Sequence, residues 1–261
     1  RLVIKYFSFK SNKDNDRWKN TQTIMSKDKL FNKKMKPSSF SFNQEVTEVF
    51  PDMLERSIPG YRTTINSIRF LASKYSKKGT NCYDLGCSLG ASSIALGEGA
   101  AHNDCRIMAV DKSSSMTKKF SEIIKQEKLD LNIQIFNEDI LDTKITNASI
   151  VIMNFTLQFI RKKDRQLVLD KIYNGLNDGG LLILSEKITQ GDKKINNLLI
   201  DLHENFKLEN LYTREEIENK KESIKNVLVE DDIETHQSRL SKSGFTKFGI
   251  WLQHFNFASF V

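Results

Sequence analysis

The sequence predicts an α/β protein built on a doubly wound, mostly parallel β-sheet. After residue 60, short apolar runs alternate with segments of helical periodicity, which is the pattern of strands joined by helices. One of these runs, residues 149–153, has four consecutive apolar residues after Ser149, as expected for a strand that helices cover on both faces. Two further runs at the end of the chain have no helix between them, which predicts an antiparallel edge.

The predicted elements follow the chain in order. Seven strands are predicted, at residues 82–85, 106–110, 133–136, 149–153, 181–184, 246–252 and 255–261. Helices with apolar residues at helical spacing are predicted at residues 65–75, 92–96, 116–128 and 165–176. A turn at residues 178–180 ends the last of these helices. Residues 191–230 are charged and helical in pattern, so they are expected to form a helical insert.

The basic excess of the chain lies at its N-terminus. The net charge is +7, yet residues 1–39 contain 11 Lys/Arg and 3 Asp/Glu and carry +8. The remaining residues hold 29 basic and 30 acidic side chains, which argues against a nucleic-acid-binding surface on the body. We expect residues 1–39 to be a solvated, disordered arm, with an RNA-binding tail as the alternative, and residues 40–261 to form the domain.

The sequence shows no targeting or membrane-spanning segment. Residues 2–4 are too short for the apolar part of a signal peptide, and no apolar run reaches the roughly 18 residues that span a bilayer. Since Arg1 is not a natural start, Met25 is a candidate, and residues 1–24 would then be an upstream extension. Three cysteines suit a reducing compartment, and the four histidines lack zinc-binding spacing. We expect a cytoplasmic protein without a metal or a membrane partner.

The strongest local signal is a glycine-rich turn between the first predicted strand and the following helix, which reads DLGCSLG at residues 84–90. Glycines at such a turn let the backbone bend tightly and let a ligand approach without a Cβ in the way. The spacing is neither that of a dinucleotide-binding loop nor that of a Walker motif. An ordinary strand-to-helix turn is the alternative interpretation.

Polar side chains follow the next three strands. Asp111 ends the second strand, where a carboxylate can accept hydrogen bonds from the ribose hydroxyls of a nucleoside. Asp139 follows the third strand and could accept from an adenine amino group, while Asn154 ends the fourth, near a ligand's reactive end. A helix cap and two turn residues are the alternatives. With the short glycine loop, these positions favour S-adenosylmethionine over NAD and a Rossmann-like class I methyltransferase fold.

Several methyl-transfer chemistries are excluded. No proline follows Pro59, so the fourth strand lacks the Asn/Asp-Pro-Pro-aromatic loop that serves methylation of base amino groups. No Pro-Cys pair is present for covalent attack on a pyrimidine, and Cys87 is expected to be a packing residue. No general base stands out, which argues against base-dependent methyl transfer to an ordinary alcohol.

Seven segments carry a more specific signal. They read FPDM at 50–53, SIPGY at 57–61, DLGCSLG at 84–90, NFTLQF at 154–159, LSEK at 184–187, ETH at 234–236 and FNF at 255–257. Together they resemble the carboxy-S-adenosylmethionine synthase family. The resemblance covers the chain from about residue 40 to its end.

The resemblance implies an unusual reaction. Family members use prephenate to carboxylate the methyl group of S-adenosylmethionine, and they release phenylpyruvate. The sulfonium acidifies the adjacent methyl C–H, so its carbon can capture CO2 while the protein positions two substrates and excludes water. The product serves a partner enzyme that builds 5-oxyacetic uridine at the tRNA wobble position, so direct tRNA binding is not required. A homodimer is implied too, with residues 191–230 as a plausible interface.

The same resemblance assigns binding residues. S-adenosylmethionine, or carboxy-S-adenosylmethionine as bound product, would contact Tyr61, Gly86, Cys87, Ser88, Asp111, Lys112, Asp139, Ile140, Asn154 and Lys221. Lys112 stands where the family usually has Asn, and Lys221 where it has the Arg that binds the transferred carboxylate. Lysine keeps the positive charge but lacks the planar fork of arginine. Lys221 is thus the candidate carboxylate-binding residue, with a solvated helix face as the alternative, and no catalytic residue is identified.

Two other functions remain open at this point. One is a conventional S-adenosylmethionine-dependent methyltransferase that acts on RNA or a small molecule. The other is a module that binds the adenosyl ligand without turnover. Prephenate-dependent formation of a carboxylated sulfonium separates the proposed reaction from both.

Overall fold

A computed structural model of the protein describes residues 27–261. Its α-helices are α1 (Gln44–Ser57), α2 (Tyr61–Tyr75), α3 (Ala91–Ala100), α4 (Ser114–Gln126), α5 (Arg165–Gly175), α6 (Lys193–Glu209), α7 (Arg214–Ile224) and α8 (Ile233–Ser243). Its strands are β1 (Asn81–Leu85), β2 (Arg106–Val110), β3 (Ile133–Phe136), β4 (Ala148–Asn154), β5 (Leu176–Thr189), β6 (Asp231–Asp232), β7 (Ile250–His254) and β8 (Phe257–Phe260).

Seven of these strands form a continuous sheet in the order β3-β2-β1-β4-β5-β8-β7. Strands β1 to β5 run parallel, and β8 is antiparallel to both of its neighbours. The two-residue β6 pairs with β5 off this path. The predicted α/β fold, a mostly parallel seven-stranded sheet with an antiparallel end strand, is therefore confirmed. Because β1, β2 and β4 are parallel neighbours, their carboxyl ends meet at one edge of the sheet.

The central strand β4 shows how the core is divided between the two faces of the sheet. Ile150 and Ile152 belong to the cluster packed beneath α2 and α3. Val151 and Met153 belong to the opposite cluster, which includes residues of α5 and α8. Successive side chains of a strand point to opposite faces, so an apolar run without alternation is buried on both sides. The sheet consequently holds its carboxyl edge rigidly.

Several predicted boundaries differ from those observed, and the largest differences among the strands are in β5 and β7. Strand β5 begins at Leu176, and the predicted turn at 178–180 lies within it as an irregularity, where Gly179 has a φ of +70°. Strand β7 begins at Ile250 rather than at residue 246, since residues 245–249 have no regular structure. Neither difference moves a predicted strand to another place in the sheet.

The predicted helical insert is present as α6 and α7. Helix α6 carries three exposed apolar residues at helical spacing, Ile195, Leu198 and Leu202, which are 49%, 52% and 40% exposed. Such a stripe on the outer face of a helix is unusual for a monomer. No helix within residues 27–261 is long and apolar enough to cross a membrane.

The boundary predicted for the N-terminal arm needs correction. Residues 27–43, here named the N-terminal strap, pack against the body although the arm was expected to extend to residue 39. Phe31 and Asp28 are buried, and the Tyr212 hydroxyl donates to Asp28 Oδ2 at 2.5 Å. Spaced apolar residues separated by lysines gave no periodic signal for this packing. Residues 1–26 of the predicted arm lie outside the described residues.

The strap is also tied to α7 by its main chain. Ser38 N donates to Glu222 O at 3.2 Å, and Phe40 N donates to Ser223 O at 3.1 Å. At its other end, the Ser113 hydroxyl donates to Phe42 O at 2.6 Å. The strap is thus held along its length by segments far away in sequence.

Candidate active site

A cavity of about 360 Å³ opens at the carboxyl edge of the sheet. All ten residues that the resemblance assigned to ligand binding line it, namely Tyr61, Gly86, Cys87, Ser88, Asp111, Lys112, Asp139, Ile140, Asn154 and Lys221. The structure therefore brings together positions that lie up to 160 residues apart. Their individual contacts with a ligand stay predictions.

The glycine loop after β1 can be formed only with glycine at two positions. Gly86 has a φ of +88°, and a Cβ there would lie 2.4 Å from the side chain of Thr156. Gly90 has a φ of +84°, and its Cβ would lie 1.9 Å from the ring of Phe120. Positive φ and this crowding both exclude a larger residue. The loop therefore keeps its backbone at the cavity wall, where a ligand can approach it closely.

Asp111 is held in place by the backbone at the end of β2. Its Oδ2 accepts from Ser88 N at 2.9 Å, and its Oδ1 accepts from Ser113 N at 2.8 Å. Each carboxylate oxygen has a second lone pair, so the group can still accept from a ligand. Burial raises the pKa of Asp111, and the two backbone N–H groups oppose that rise. The following helix α4 is capped by Ser113 rather than by Asp111, so the cap expected as the alternative role of Asp111 is not observed.

The amide of Asn154 offers an unused acceptor. Its Nδ2 donates to Ser92 Oγ at 3.1 Å, whereas its Oδ1 is buried and has no partner among the described residues. Asn256, which also lines the cavity, has the same unpaired Oδ1. Buried acceptors without a partner are rare, because each costs free energy. Two of them on one cavity wall fit a bound ligand that donates, such as the amino and hydroxyl groups of an adenosyl amino acid.

Two further polar groups shape the nucleoside-facing wall. Asp139 Oδ1 accepts from Leu141 N at 2.9 Å, which fixes the turn that carries Ile140. Beneath the glycine loop, Asp84 accepts from the Ser93 hydroxyl at 2.6 Å. Burial raises the pKa of Asp84 to about 7. Asp84 does not line the cavity and instead anchors the start of α3 under it.

The loop after β4 is set by a buried carboxylate that sequence reasoning did not single out. Glu186 accepts from Leu157 N at 2.9 Å and from Gln158 N at 2.8 Å. Gln158 Oε1 in turn accepts from Lys187 N at 2.9 Å. Burial raises the pKa of Glu186 to about 8, and the two backbone N–H groups oppose that rise. These bonds hold the residues that follow Asn154 against β5.

Aromatic rings form much of the remaining wall. They are Phe40, Phe42, Phe50, Phe155, Phe159 and Phe257. Phe42 of the strap packs edge-on against Phe50 and Phe159, with ring centroids 5.9 Å and 5.2 Å apart. These rings come from the strap, α1, the loop after β4 and β8. Their assembly depends on long-range packing, so the sequence analysis found some of them only as members of the quoted motifs.

Four lysines of β5, α6 and α7 also line the cavity, namely Lys187, Lys207, Lys220 and Lys221. The ammonium of Lys221 is paired with Glu204 and, at 2.9 Å, with Glu218. The predicted carboxylate-binding residue therefore already has two acidic partners in the ligand-free chain. The other three lysines were not assigned to the site. Lys187 belongs to the LSEK segment without an assigned role, and for Lys207 and Lys220 nothing in the charged pattern of the insert distinguishes an inward lysine from a solvated one.

Two residues from the quoted sequence segments have structural roles, one away from the cavity and one in the packing of its wall. His236 of the ETH segment is buried beside Phe260, with ring centroids 5.3 Å apart, and does not line the cavity. Cys87 is buried in the glycine loop, and burial raises the pKa of its thiol well above the ordinary value. No group of three or more His, Cys, Asp or Glu that could hold a metal occurs in the part of the chain that is described.

Comparison with known proteins agrees with this geometry. A family model described as a methyltransferase domain matches residues 83–180, from β1 into β5. Among solved structures, human N-acetylserotonin methyltransferase in complex with SAM is similar, with a TM-score of 0.57, 15% identity, and coverage of 83% of this chain and 54% of that one. Magnesium protoporphyrin IX methyltransferase from Synechocystis PCC 6803 with bound SAH has a TM-score of 0.54 and 15% identity, over 80% and 84% of the two chains. At these identities the likeness shows the fold alone.

Curated sequences are far more similar. The carboxy-S-adenosyl-L-methionine synthase of Shigella sonnei is 45% identical over 222 residues, which is 85% of this chain and 90% of the relative. The protein of the same name from Pseudoalteromonas atlantica is 44% identical over 236 residues, 90% and 97% of the two chains. With this identity over most of both lengths, and with a cavity lined by the expected positions, the chain belongs to the carboxy-S-adenosyl-L-methionine synthase family.

Proposed function

We propose that the protein converts S-adenosylmethionine and prephenate to carboxy-S-adenosylmethionine and phenylpyruvate. The observation that carries this proposal is one continuous cavity with two unlike sets of lining residues. One set is the glycine loop, Asp111 and Asp139 at the carboxyl edge of the sheet, and the other is four lysines of β5, α6 and α7. A sulfonium substrate and an acid that brings two carboxylates need such a pair of environments within reach of each other.

The residues of the chain bind and orient more than they react. Ser88 N and Ser113 N hold Asp111, and we expect its carboxylate to accept from the ribose hydroxyls. Asn154 Oδ1 is free to accept from the amino-acid part of the ligand. The aromatic wall excludes water from the cavity, which protects CO2 and keeps its partner carbon unsolvated. Effective concentration in this closed space supplies much of the rate.

The chemistry of the bound substrates balances without a protein base. The C–C bond to the ring carboxylate of prephenate breaks and releases CO2, and its electron pair aromatises the ring with loss of hydroxide. The hydroxide takes a proton from the methyl group that the sulfonium activates. The methyl carbon then forms a bond to CO2. Water and phenylpyruvate are the other products. The need for a protein proton acceptor is thereby removed.

Mass spectrometry tests the proposal directly. The purified protein is incubated with S-adenosylmethionine, with and without prephenate, and the low-molecular-weight fraction is analysed. We expect a sulfonium heavier than S-adenosylmethionine by one CO2, together with phenylpyruvate, only when prephenate is present. Formation of S-adenosylhomocysteine with a methylated acceptor, and no carboxylated sulfonium, would instead identify a conventional methyltransferase.

We also propose that the protein works as a homodimer in the cytoplasm and that its product is consumed by a separate tRNA-modifying enzyme. The exposed apolar stripe on α6, formed by Ile195, Leu198 and Leu202, supports self-association. The near-neutral body supports a small-molecule product rather than tRNA as the direct substrate.

A further inference from the structure

The second substrate of the proposed function carries two carboxylates, and only one is transferred. The other stays on the three-carbon side chain and leaves with phenylpyruvate. An anion inside an apolar cavity needs its own cationic partner, because an unpaired buried charge is costly. The four lysines that line the cavity are the candidates, and their contacts differ.

Three of the four lysines already have partners. Lys221 is paired with Glu204 and Glu218. Lys187 is paired with Glu230 at 2.6 Å. Lys220 donates to the Ser57 hydroxyl at 2.7 Å and lies over the rings of Phe31 and Tyr212, each 5.2 Å from the ammonium. Each of these three ammonium groups therefore already has a partner within the chain.

Lys207 is the exception among the residues that the structure describes. It is only 6% exposed and lines the cavity, yet no hydrogen bond or ion pair reaches its ammonium. The charged groups that act on it are Lys187 and Lys221, which repel it, and Glu204 and Glu218, which attract it. An ammonium buried in this way is strained without an anion and becomes satisfied when one binds.

The space beside Lys207 suits a ring as well as an acid. His203, one turn earlier on α6, donates through Nε2 to Ser57 O at 2.8 Å and packs edge-on against Phe257 at 4.8 Å. Phe257 in turn contacts Phe155 at 5.8 Å. Aromatic side chains next to a single free cation recognise an acid that carries a planar or nearly planar six-membered ring.

We propose that Lys207 binds the carboxylate that the second substrate keeps, so that phenylpyruvate is held by Lys207 after the transfer. This assignment rests on the proposed function. It separates the two acidic groups of the substrate between two lysines: Lys221 faces the transferred carboxylate, as the family resemblance implies, and Lys207 holds the retained one. The retained α-keto acid is then the part of the substrate that Lys207 selects for.

Titration calorimetry with phenylpyruvate, in the presence of saturating S-adenosylmethionine, tests the assignment. Lys207→Met is expected to weaken phenylpyruvate binding by roughly 10- to 100-fold, the usual loss for a hydrogen bond to a charged group. The affinity for S-adenosylmethionine alone is expected to stay within about threefold, since the adenosyl contacts are expected from the other set of lining residues. The matched control is Lys194→Met, an exposed lysine on the same helix, which should leave both affinities unchanged.

The outcomes separate this assignment from the proposed function. If Lys207→Met binds phenylpyruvate as well as the wild type, while both still form carboxy-S-adenosylmethionine, the assignment is overturned and the proposed function stands. If the wild type neither forms the carboxylated sulfonium nor binds phenylpyruvate, both are overturned. Circular dichroism of Lys207→Met checks its fold, and removal of an unpaired buried charge is expected to raise its melting temperature.

Discussion

Two lysines in the cavity are protonated less readily than a lysine in water. Burial lowers the pKa of Lys207 to about 8, with repulsion from Lys187 as the next cause. Burial also lowers the pKa of Lys220 to about 7. At neutral pH the ligand-free protein therefore holds a charge at Lys207 that its surroundings disfavour. A bound carboxylate would restore the ordinary pKa, so pH reports on this part of the cavity.

The free energy of unfolding is expected to rise with pH between about 8 and 10.5, the folded and unfolded pKa values of Lys207. In this window the unfolded chain binds more protons than the folded one, so a rise in pH favours the folded state. Below this window Lys207 is protonated in both states, and the full free-energy cost of its buried charge is present. Lys207→Met should therefore raise the stability near neutral pH by on the order of 3 kcal/mol and flatten the rise. Urea denaturation across this range measures both effects.

The matched control for this pH dependence is Lys27→Met, which removes an exposed lysine of the strap. It should leave the pH profile of stability unchanged. An equal slope in Lys207→Met and the wild type would show that the Lys207 ammonium is solvated or paired in solution.

A substitution of Asp111 tests its expected contact with S-adenosylmethionine. Asp111→Ala is expected to weaken S-adenosylmethionine binding by roughly 10- to 100-fold, because a charged acceptor worth about 1.5–3 kcal/mol is lost from the cavity. Calorimetric titration measures the dissociation constant. Asp130→Ala, at an exposed position away from the cavity, is the control. An unchanged constant in a folded Asp111→Ala protein would remove this residue from the site.

The binding residues at strand ends could be predicted because topology alone brings them together. Asp111 and Asn154 each follow a parallel strand, and parallel neighbours present their carboxyl ends at one edge. Lys207 and Phe42 reach the same cavity from an insert and from the strap. Their positions depend on how distant segments pack, which periodicity and local spacing do not encode.

At the scale of elements, the loop between β4 and α5 is clamped from two sides. Glu186 of β5 holds Leu157 and Gln158 by their backbone N–H groups. Arg165, fully buried at the start of α5, donates to Ile160 O at 2.9 Å and is paired with Asp231 of β6. The short β6 is therefore more than an irregular edge, because it supplies the counter-charge that lets Arg165 hold this loop.

Asp231→Asn is expected to lower the free energy of unfolding by about 3–5 kcal/mol, since it leaves the buried Arg165 without its anion. Burial opposes ionisation of Asp231, but hydrogen bonds from Arg239 and Lys162 lower its pKa. Its contribution is therefore present above the ordinary range of an aspartate pKa and is lost as the pH falls through the lowered value. Chemical denaturation near neutral pH and in acid measures this loss.

The neighbouring residue gives the control for that substitution. Asp232 caps α8 by accepting from Thr235 N at 2.7 Å, and Asp232→Asn should cost less than about 1 kcal/mol because Asn caps as well as Asp. Similar losses in the two variants would contradict a specific role for the Arg165–Asp231 pair.

Two helices, α1 and α8, were absent from the elements predicted by sequence. Helix α8 has readable boundaries, an Asp232 cap and a left-handed Gly244 after its last residue, so it could have been found. Helix α1 contains Pro51, which normally marks an end. Pro51 nonetheless lies in the helix, because tertiary packing of Phe50 and Met53 in the core outweighs the lost hydrogen bond.

At the scale of the whole molecule, the apolar stripe of α6 predicts the oligomeric state. Leu198→Asp is expected to convert a dimer into a 30.1 kDa monomer, because a carboxylate in the centre of the stripe cannot be buried without a partner. Light scattering after size exclusion measures the mass. Asn197→Asp adds the same charge at an exposed neighbouring position and should stay dimeric. A monomeric wild type would instead mean that two copies do not cover the stripe.

The N-terminal strap is also expected to affect how long a ligand stays bound. Its main-chain bonds from Ser38 and Phe40 to α7, and the bond from Ser113 to Phe42, fix it while Phe40 and Phe42 line the cavity. Opening the cavity on this side requires local unfolding of the strap, whose rate depends on the stability of that segment rather than on the strength of ligand contacts. Residence time and affinity are thereby uncoupled, and an adenosyl ligand acquired during synthesis in the cell is expected to remain in the protein through purification.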